Sequence, residues 1–385
     1  MLGLVLHRFI KLAITIASVI IFILSSLSIV GYQFIANIVW KDEVVRRQTH
    51  LDRSKKIFIL LLVTILRIVA PSRIRITTEN KSIAKGTFMR DVQTGGITSK
   101  LARNSVIISN HQIYTDWVFL WWLTYTGNLA GNVYIMLKKS LESIPIMGYG
   151  MKNYKFIFMN RRWEKDKVNM ANRFEEMDLN ARGIGSLAQK TNSEISQIHW
   201  PYSLILFPEG TNLSANTRSK SDFYAEKINR TFLKNVLLPR ITGLRFSLLC
   251  LRESCEVVYD ATIGYSGVKK DEYGQDIYRL GNIFLRGQAP KIVDIHLRAF
   301  KLSEIPIDDD EMFTEWLFRV WREKDELLDT FYAKGSFDLD PDLNHTVVGW
   351  CTIKTSEMLL IVTLPLLLAF MVVYSISKHF LRIFT

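Results

Sequence analysis

Residues 12–39, LAITIASVIIFILSSLSIVGYQFIANIV, carry no charged side chain. The run exceeds the roughly 20 residues that a helix needs to cross the hydrocarbon of a bilayer. In hydrocarbon a lone segment can pair its backbone N–H and C=O groups only as a helix. A cleaved signal peptide is the competing reading. The run is longer than a signal's apolar core, however, and no clear small-x-small site precedes the charged stretch that follows. The sequence therefore predicts a retained anchor.

Six Lys or Arg lie between Lys41 and Lys56, against two before the run. The positive-inside rule places that flank, and the chain beyond it, in the cytosol. A second apolar run, residues 57–70, is interrupted by Arg67 and is short for a crossing, so it is expected to be interfacial or re-entrant. Residues 358–376 are apolar all round and predict a C-terminal span, with Pro365 tolerated as a kink. The expected organisation is a membrane-anchoring region at 1–77, a globular domain at 78–340 and a C-terminal membrane segment at 341–385. A hydrophobic fraction of 48% suits a globular body with a few membrane segments. The net charge of +12 draws the chain to anions. Beside membrane segments those anions are lipid headgroups rather than nucleic acid, each nearby cation adding about 1 kcal/mol. The three cysteines form no Cys-x2-Cys pair, and the histidines outside residue 111 show no metal-ligand spacing. No metal and no disulfide framework are expected.

Between the membrane segments, short apolar runs alternate with helical patterns. Strands are expected at 106–108, 133–137, 156–159, 203–207, 258–263 and 292–300. Helices are expected at about 115–125, 145–151, 162–180 and 309–332. That alternation predicts an α/β fold with a central mixed sheet flanked by helices. Residues 78–104 read as a polar entry loop, and 181–199 as a flexible insertion. The tryptophans Trp117, Trp121 and Trp122 fit either an acyl-chain wall or a packed helix core.

Two boxes carry the chemistry. Asn110-His111-Gln112-Ile113-Tyr114-Thr115-Asp116 follows the strand at 106–108, and Phe207-Pro208-Glu209-Gly210-Thr211 follows the strand at 203–207. An imidazole titrates near neutrality and is a natural general base. A helix starting near Thr115 lets the Asp116 carboxylate fold back onto it and fix its tautomer, as in a triad without the serine. Each box alone reads equally well as a capped helix start or an ordinary turn.

Together, in this order, the boxes resemble the glycerolipid acyltransferase family of the lysophosphatidic-acid-acyltransferase type. Phe158-Met159-Asn160-Arg161 resembles that family's strand-then-arginine block, and Leu237-Leu238-Pro239-Arg240 its proline-centred block. Leu137-Lys138-Lys139-Ser140-Leu141 resembles a segment whose lysine meets the oxyanion. The details look most like the branch of lysocardiolipin and lysophosphatidylinositol acyltransferases, fungal members included. The likeness covers about residues 100–265. It implies an enzyme of the endoplasmic reticulum membrane, with its catalytic domain facing the cytosol. That enzyme would move an acyl chain from acyl-CoA, a co-substrate rather than a cofactor, to a glycerol hydroxyl of a lysophospholipid.

The resemblance also implies roles. His111 would be the base, Asp116 its orienter and Lys138 the oxyanion donor. Arg161, Glu209, Gly210 and Thr211 would grip the acceptor, and Pro239 would shape the acyl pocket. One position departs from the pattern: many members carry arginine directly after Gly-Thr, and this chain has Asn212, with Arg218 or Lys220 as candidate replacements for the charge. Two rival functions share these residues, a hydrolase that uses water as acceptor and a lipid-binding scaffold without activity.

Overall fold

The computed structural model describes residues 2–188, 199–338 and 340–384. The middle of the expected insertion, 189–198, lies outside the described residues. Helix α1 (Leu2–Val39) is followed by α2 (Val44–Val69), strand β1 (Arg73–Glu79) and a hairpin of β2 (Phe88–Arg90) and β3 (Ile97–Ser99). Then come β4 (Asn104–Ser109), α3 (Asp116–Thr126), β5 (Val133–Lys138), α4 (Met147–Asn153), β6 (Ile157–Met159) and α5 (Trp163–Ala181). β7 (Tyr202–Leu206) leads to α6 (Ala215–Lys227) and α7 (Ile241–Cys250), and β8 (Val257–Tyr265) to the short α8 (Gly274–Ile277) and α9 (Leu280–Arg286). The chain closes with β9 (Ile292–Lys301), α10 (Asp310–Lys334), β10 (Asn344–Trp350) and α11 (Thr355–Phe384).

Eight strands form one mixed sheet in the order β10-β1-β9-β8-β4-β7-β5-β6. The five from β8 to β6 run parallel, while β9 is antiparallel to β8 and β10 to β1. Side chains alternate between two cores, as a period of two requires. Ile107, Ile205 and Ile263 join the layer of α2 and α3. Val106, Ile108, Leu204 and Leu206 join the layer of α5, α7 and α10. Burial on both faces is why these strands read as unbroken apolar runs. Helix α10 turns Phe313, Trp316, Leu317, Val320 and Trp321 to the sheet at helical spacing. The Asp309 side chain caps its start by accepting from the Met312 N–H at 2.8 Å.

The sheet is larger than the sequence pattern implies. β1 and β10 lie on either side of the 78–340 boundaries, and the polar stretch 78–104 holds the β2–β3 hairpin. β1 (RIRITTE) pairs with segments more than 200 residues away, so nothing local marks it as a sheet strand.

α1 contains the stretch long and apolar enough to cross a membrane, Phe9–Val39. It is also joined to the body near both ends: Thr15 donates to the Leu285 carbonyl at 3.4 Å, and Asn37 to Asn153 at 3.0 Å. The run 57–70 is not a separate interfacial piece. It is the C-terminal half of α2, and Phe58–Val63, Ile65 and Leu66 are core residues. A face of apolar side chains closed over by protein has no need of lipid. The basic flank is likewise engaged: Lys55 is fully buried near Asp52, and Lys56 pairs with Glu357 at 2.8 Å. α11 is 30 residues long and includes the apolar stretch Thr355–Met371.

Candidate active site

The sequence-predicted site residues converge because the strands that precede them are parallel neighbours. Across β8, β4, β7, β5 and β6 the carboxyl ends lead to Tyr265, His111, Glu209, Lys138 and Arg161 in that order. Adjacent strands lie ~4.8 Å apart, so His111 and Lys138 stand on strands about 10 Å apart, with the β7 turn between them. The crevice at the carboxyl ends of parallel strands is where open α/β sheets bind ligands.

His111 and Asp116 are brought together. The Asp116 carboxylate lies 2.7 Å from Nδ1 of His111 and is fully buried. The same oxygen accepts the backbone N–H groups of Gln112 and Ile113, at 2.6 and 3.0 Å. Its second oxygen accepts the hydroxyl of Tyr265, from the end of β8. With Nδ1 donating to the carboxylate, Nε2 is left as the lone-pair nitrogen. The imidazole stacks on Phe207, ring centres 4.4 Å apart. Its side chain is 19% exposed, so solvent or substrate reaches it.

The loop bearing His111 is braced from three directions. Asn110 exchanges two hydrogen bonds with the backbone of Ile263, at 3.0 and 2.8 Å. The His111 carbonyl accepts from the Leu213 N–H at 2.8 Å, which ties the first box to the second. Gln112 donates to the Asn235 carbonyl at 3.3 Å and accepts from Tyr332 at 3.2 Å. Tyr265 and Tyr332 carried no recognisable signal in the sequence, and Phe207 and Gln112 stood in the two boxes without an assigned role, because their partners are distant in the chain.

Arg161 is exposed and sits at φ +61°, a left-handed conformation uncommon for a residue with a Cβ. Asp166 holds that turn, accepting from the backbone and amide of Asn160 at 2.8 and 2.9 Å and from the Arg162 N–H at 3.0 Å. The carboxylate is thus spent on backbone, and the Arg161 guanidinium is not its partner. Lys138 is exposed at the end of β5, Thr211 is half-buried and Pro239 is buried.

Glu209 lies deep in its turn. It is 3% exposed, and neither carboxyl oxygen has a hydrogen-bond partner. Burial pushes this carboxyl well above the usual range, moderated by Trp321 and Lys324 of α10 and by the backbone of His111 and Leu237. Gly210 at φ +72° is the exposed element of that turn. Nor does Arg218 replace the missing arginine, since its guanidinium donates to the Leu233 and Lys234 carbonyls. Asn212 itself donates to Gln275. The aromatic cluster resolves as core: Trp121 and Trp122 are buried and donate to the Ala130 and Thr352 carbonyls at 2.7 and 2.8 Å.

Known proteins share this arrangement of blocks. The model of the Acyltransferase family matches residues 81–248, and that of the Acyltransferase C-terminus matches residues 283–362. The chain is 50% identical to 2-acyl-1-lysophosphatidylinositol acyltransferase of Saccharomyces cerevisiae, over 96% of this chain and 97% of that protein. It is 34% identical to lysocardiolipin acyltransferase 1 of Gallus gallus, over 60% of this chain and 54% of that one. Lysophosphatidylinositol acyltransferase 10 of Caenorhabditis elegans is 29% identical, over 63% and 56%. With a histidine–aspartate pair at the mouth of the sheet and near full-length identity of this order, the chain belongs to the acyltransferase family.

Proposed function

We propose that this enzyme transfers an acyl chain from acyl-CoA to a free glycerol hydroxyl of a lysophospholipid. Lysophosphatidylinositol acylated at position 2 is the first acceptor to consider, because the yeast relative is named for it and matches almost end to end. The observation that carries the mechanism is the 2.7 Å contact between His111 Nδ1 and Asp116. Nε2 takes the proton of the acceptor hydroxyl as its oxygen attacks the thioester carbonyl. The tetrahedral oxyanion collapses, the C–S bond breaks, and the imidazolium returns the proton to the CoA thiolate. No enzyme nucleophile is needed. Asp116 holds the tautomer and stabilises the imidazolium. Lys138, two strands away, supplies positive charge toward the oxyanion. Arg161 and the 210–211 turn face the acceptor phosphate, while Glu209 props that turn from beneath, and Pro239 lies against the acyl chain.

The enzyme works at a membrane, which α1 supplies. The basic flank after α1 supports a cytosolic catalytic face, and the endoplasmic reticulum is the membrane we assign. Protease treatment of sealed microsomes tests this face: cleavage of the globular body without detergent is expected, and protection would reverse the orientation.

Transfer of labelled oleoyl and stearoyl groups to lysophosphatidate, lysophosphatidylinositol and lysocardiolipin tests the reaction. Activity on lysophosphatidylinositol is expected, with little CoA release when the acceptor is omitted. Full-rate release without acceptor would make the protein a hydrolase instead. Tyr265→Phe removes one hydrogen bond to a carboxylate, worth about 1.5–3 kcal/mol. We expect kcat to fall on the order of 10-fold or more with little change in KM, and an unchanged kcat would remove Tyr265 from the relay.

A further inference from the structure

The turn of the second box continues into Asn212, whose amide is committed to Gln275. Arg218 is committed to two carbonyls. A different arginine lies on the turn. The Arg240 N–H donates to the Pro208 carbonyl at 2.8 Å, which fixes its Cα beside the second box. Its side chain then folds over Gly210. A Cβ built on that glycine would stand 3.1 Å from Nε and 3.3 Å from Cδ of Arg240. The guanidinium is exposed and makes no ion pair or side-chain hydrogen bond among the described residues. The next arginines along, Arg245 and Arg252, are by contrast bound to Asp310 and Asp308. An unpaired guanidinium is a planar set of donors matched to phosphate. Arg240 shares the rim with Lys138 and Arg161, both exposed at the ends of β5 and β6. Each of these cations follows the carboxyl end of one of three successive parallel strands, β7, β5 and β6, and the carboxylate of the same turn, Glu209, is buried.

We propose that Arg240 is a phosphate-binding residue of the substrate site. Held by the Pro208 carbonyl and packed over Gly210, it brings positive charge to the turn of the second box. The proposal rests on the acyltransferase reading of this site and adds a residue to it. Both substrates carry phosphate, the acceptor in its headgroup and acyl-CoA in its nucleotide, so the test separates them.

Arg240→Ala and Arg240→Lys would be compared with wild type as full-length protein in detergent, varying lysophosphatidylinositol and oleoyl-CoA in turn. Loss of charge-assisted bonds is expected to raise one KM by about 10–100-fold, with kcat within a few-fold and partial recovery in the lysine variant. A rise confined to the lysophospholipid assigns Arg240 to the headgroup, and a rise confined to oleoyl-CoA assigns it to the nucleotide phosphates. Gly210→Ala, which crowds the Arg240 side chain, should raise the same KM. If both KM values stay at wild type in Arg240→Ala, the proposal fails, and His111→Ala run alongside tells whether the site itself was misread. Matching thermal denaturation curves exclude a folding defect as the source of any change.

Discussion

Purified His111→Ala protein is expected to transfer acyl groups about 10²–10⁴-fold more slowly than wild type, the usual worth of a positioned general base. The loss should fall on kcat, because the imidazole acts on the proton in flight and a side chain only 19% exposed leaves little binding surface to remove. Asp116→Asn should be nearly as damaging. Its carboxylate makes four contacts at once: the imidazole, two backbone N–H groups and the Tyr265 hydroxyl. An amide cannot accept all of them, and its NH2 would favour the wrong tautomer of His111. Initial rates with saturating oleoyl-CoA and lysophosphatidylinositol measure both. A His111→Ala enzyme with wild-type kcat would falsify the base assignment. Asp116→Asn matching wild type would leave the histidine as a base without an orienter.

Replacing Lys324 with alanine should produce the largest loss of stability. Its ammonium is fully buried and donates to Asp260 at 2.6 Å, to the Ala261 carbonyl at 2.8 Å and to Thr262 at 3.0 Å. Arg298 holds the other Asp260 oxygen at 2.8 Å. Removing one partner of a buried ion pair strands the other, at about 3–5 kcal/mol. Burial alone would raise the Asp260 carboxyl, but Lys324 and then Arg298 outweigh it and hold the group below its ordinary value. Its contribution to folding is therefore complete above the unfolded value of ~3.9 and is lost as pH falls through the folded one. Without Lys324 that loss should begin at higher pH. Thermal melts from pH 7 down to pH 3 measure both effects. A variant melting within a degree of wild type at pH 7 would show that Arg298 alone suffices for Asp260. The same change should disturb the active-site turn, since Lys324 also lies near buried Glu209.

Much of the site was legible because its elements are short and local. His111 and Asp116 are five residues apart, and a strand ending before one and a helix starting at the other suffice to bring them together. The α/β class was likewise legible, since strands buried on two faces must be continuously apolar. The strands at the β10 end of the sheet were not: β1 and β10 alternate with polar residues and acquire meaning only through pairing with each other and with β9. The run 57–70 misled for a related reason, as an apolar helix face looks the same whether lipid or protein covers it.

The apolar N-terminal segment, the α/β body and the histidine–aspartate box followed by a Pro-Glu-Gly turn could all be read from the chain alone. Each of those is a property of one contiguous segment. The burial of Glu209, the Tyr265 hydroxyl on Asp116 and the packing of Arg240 over Gly210 emerge only in three dimensions. These depend on which strands are neighbours and on loops closing across the sheet. Contacts of that kind are fixed by packing between distant segments, and no window of the sequence contains both partners.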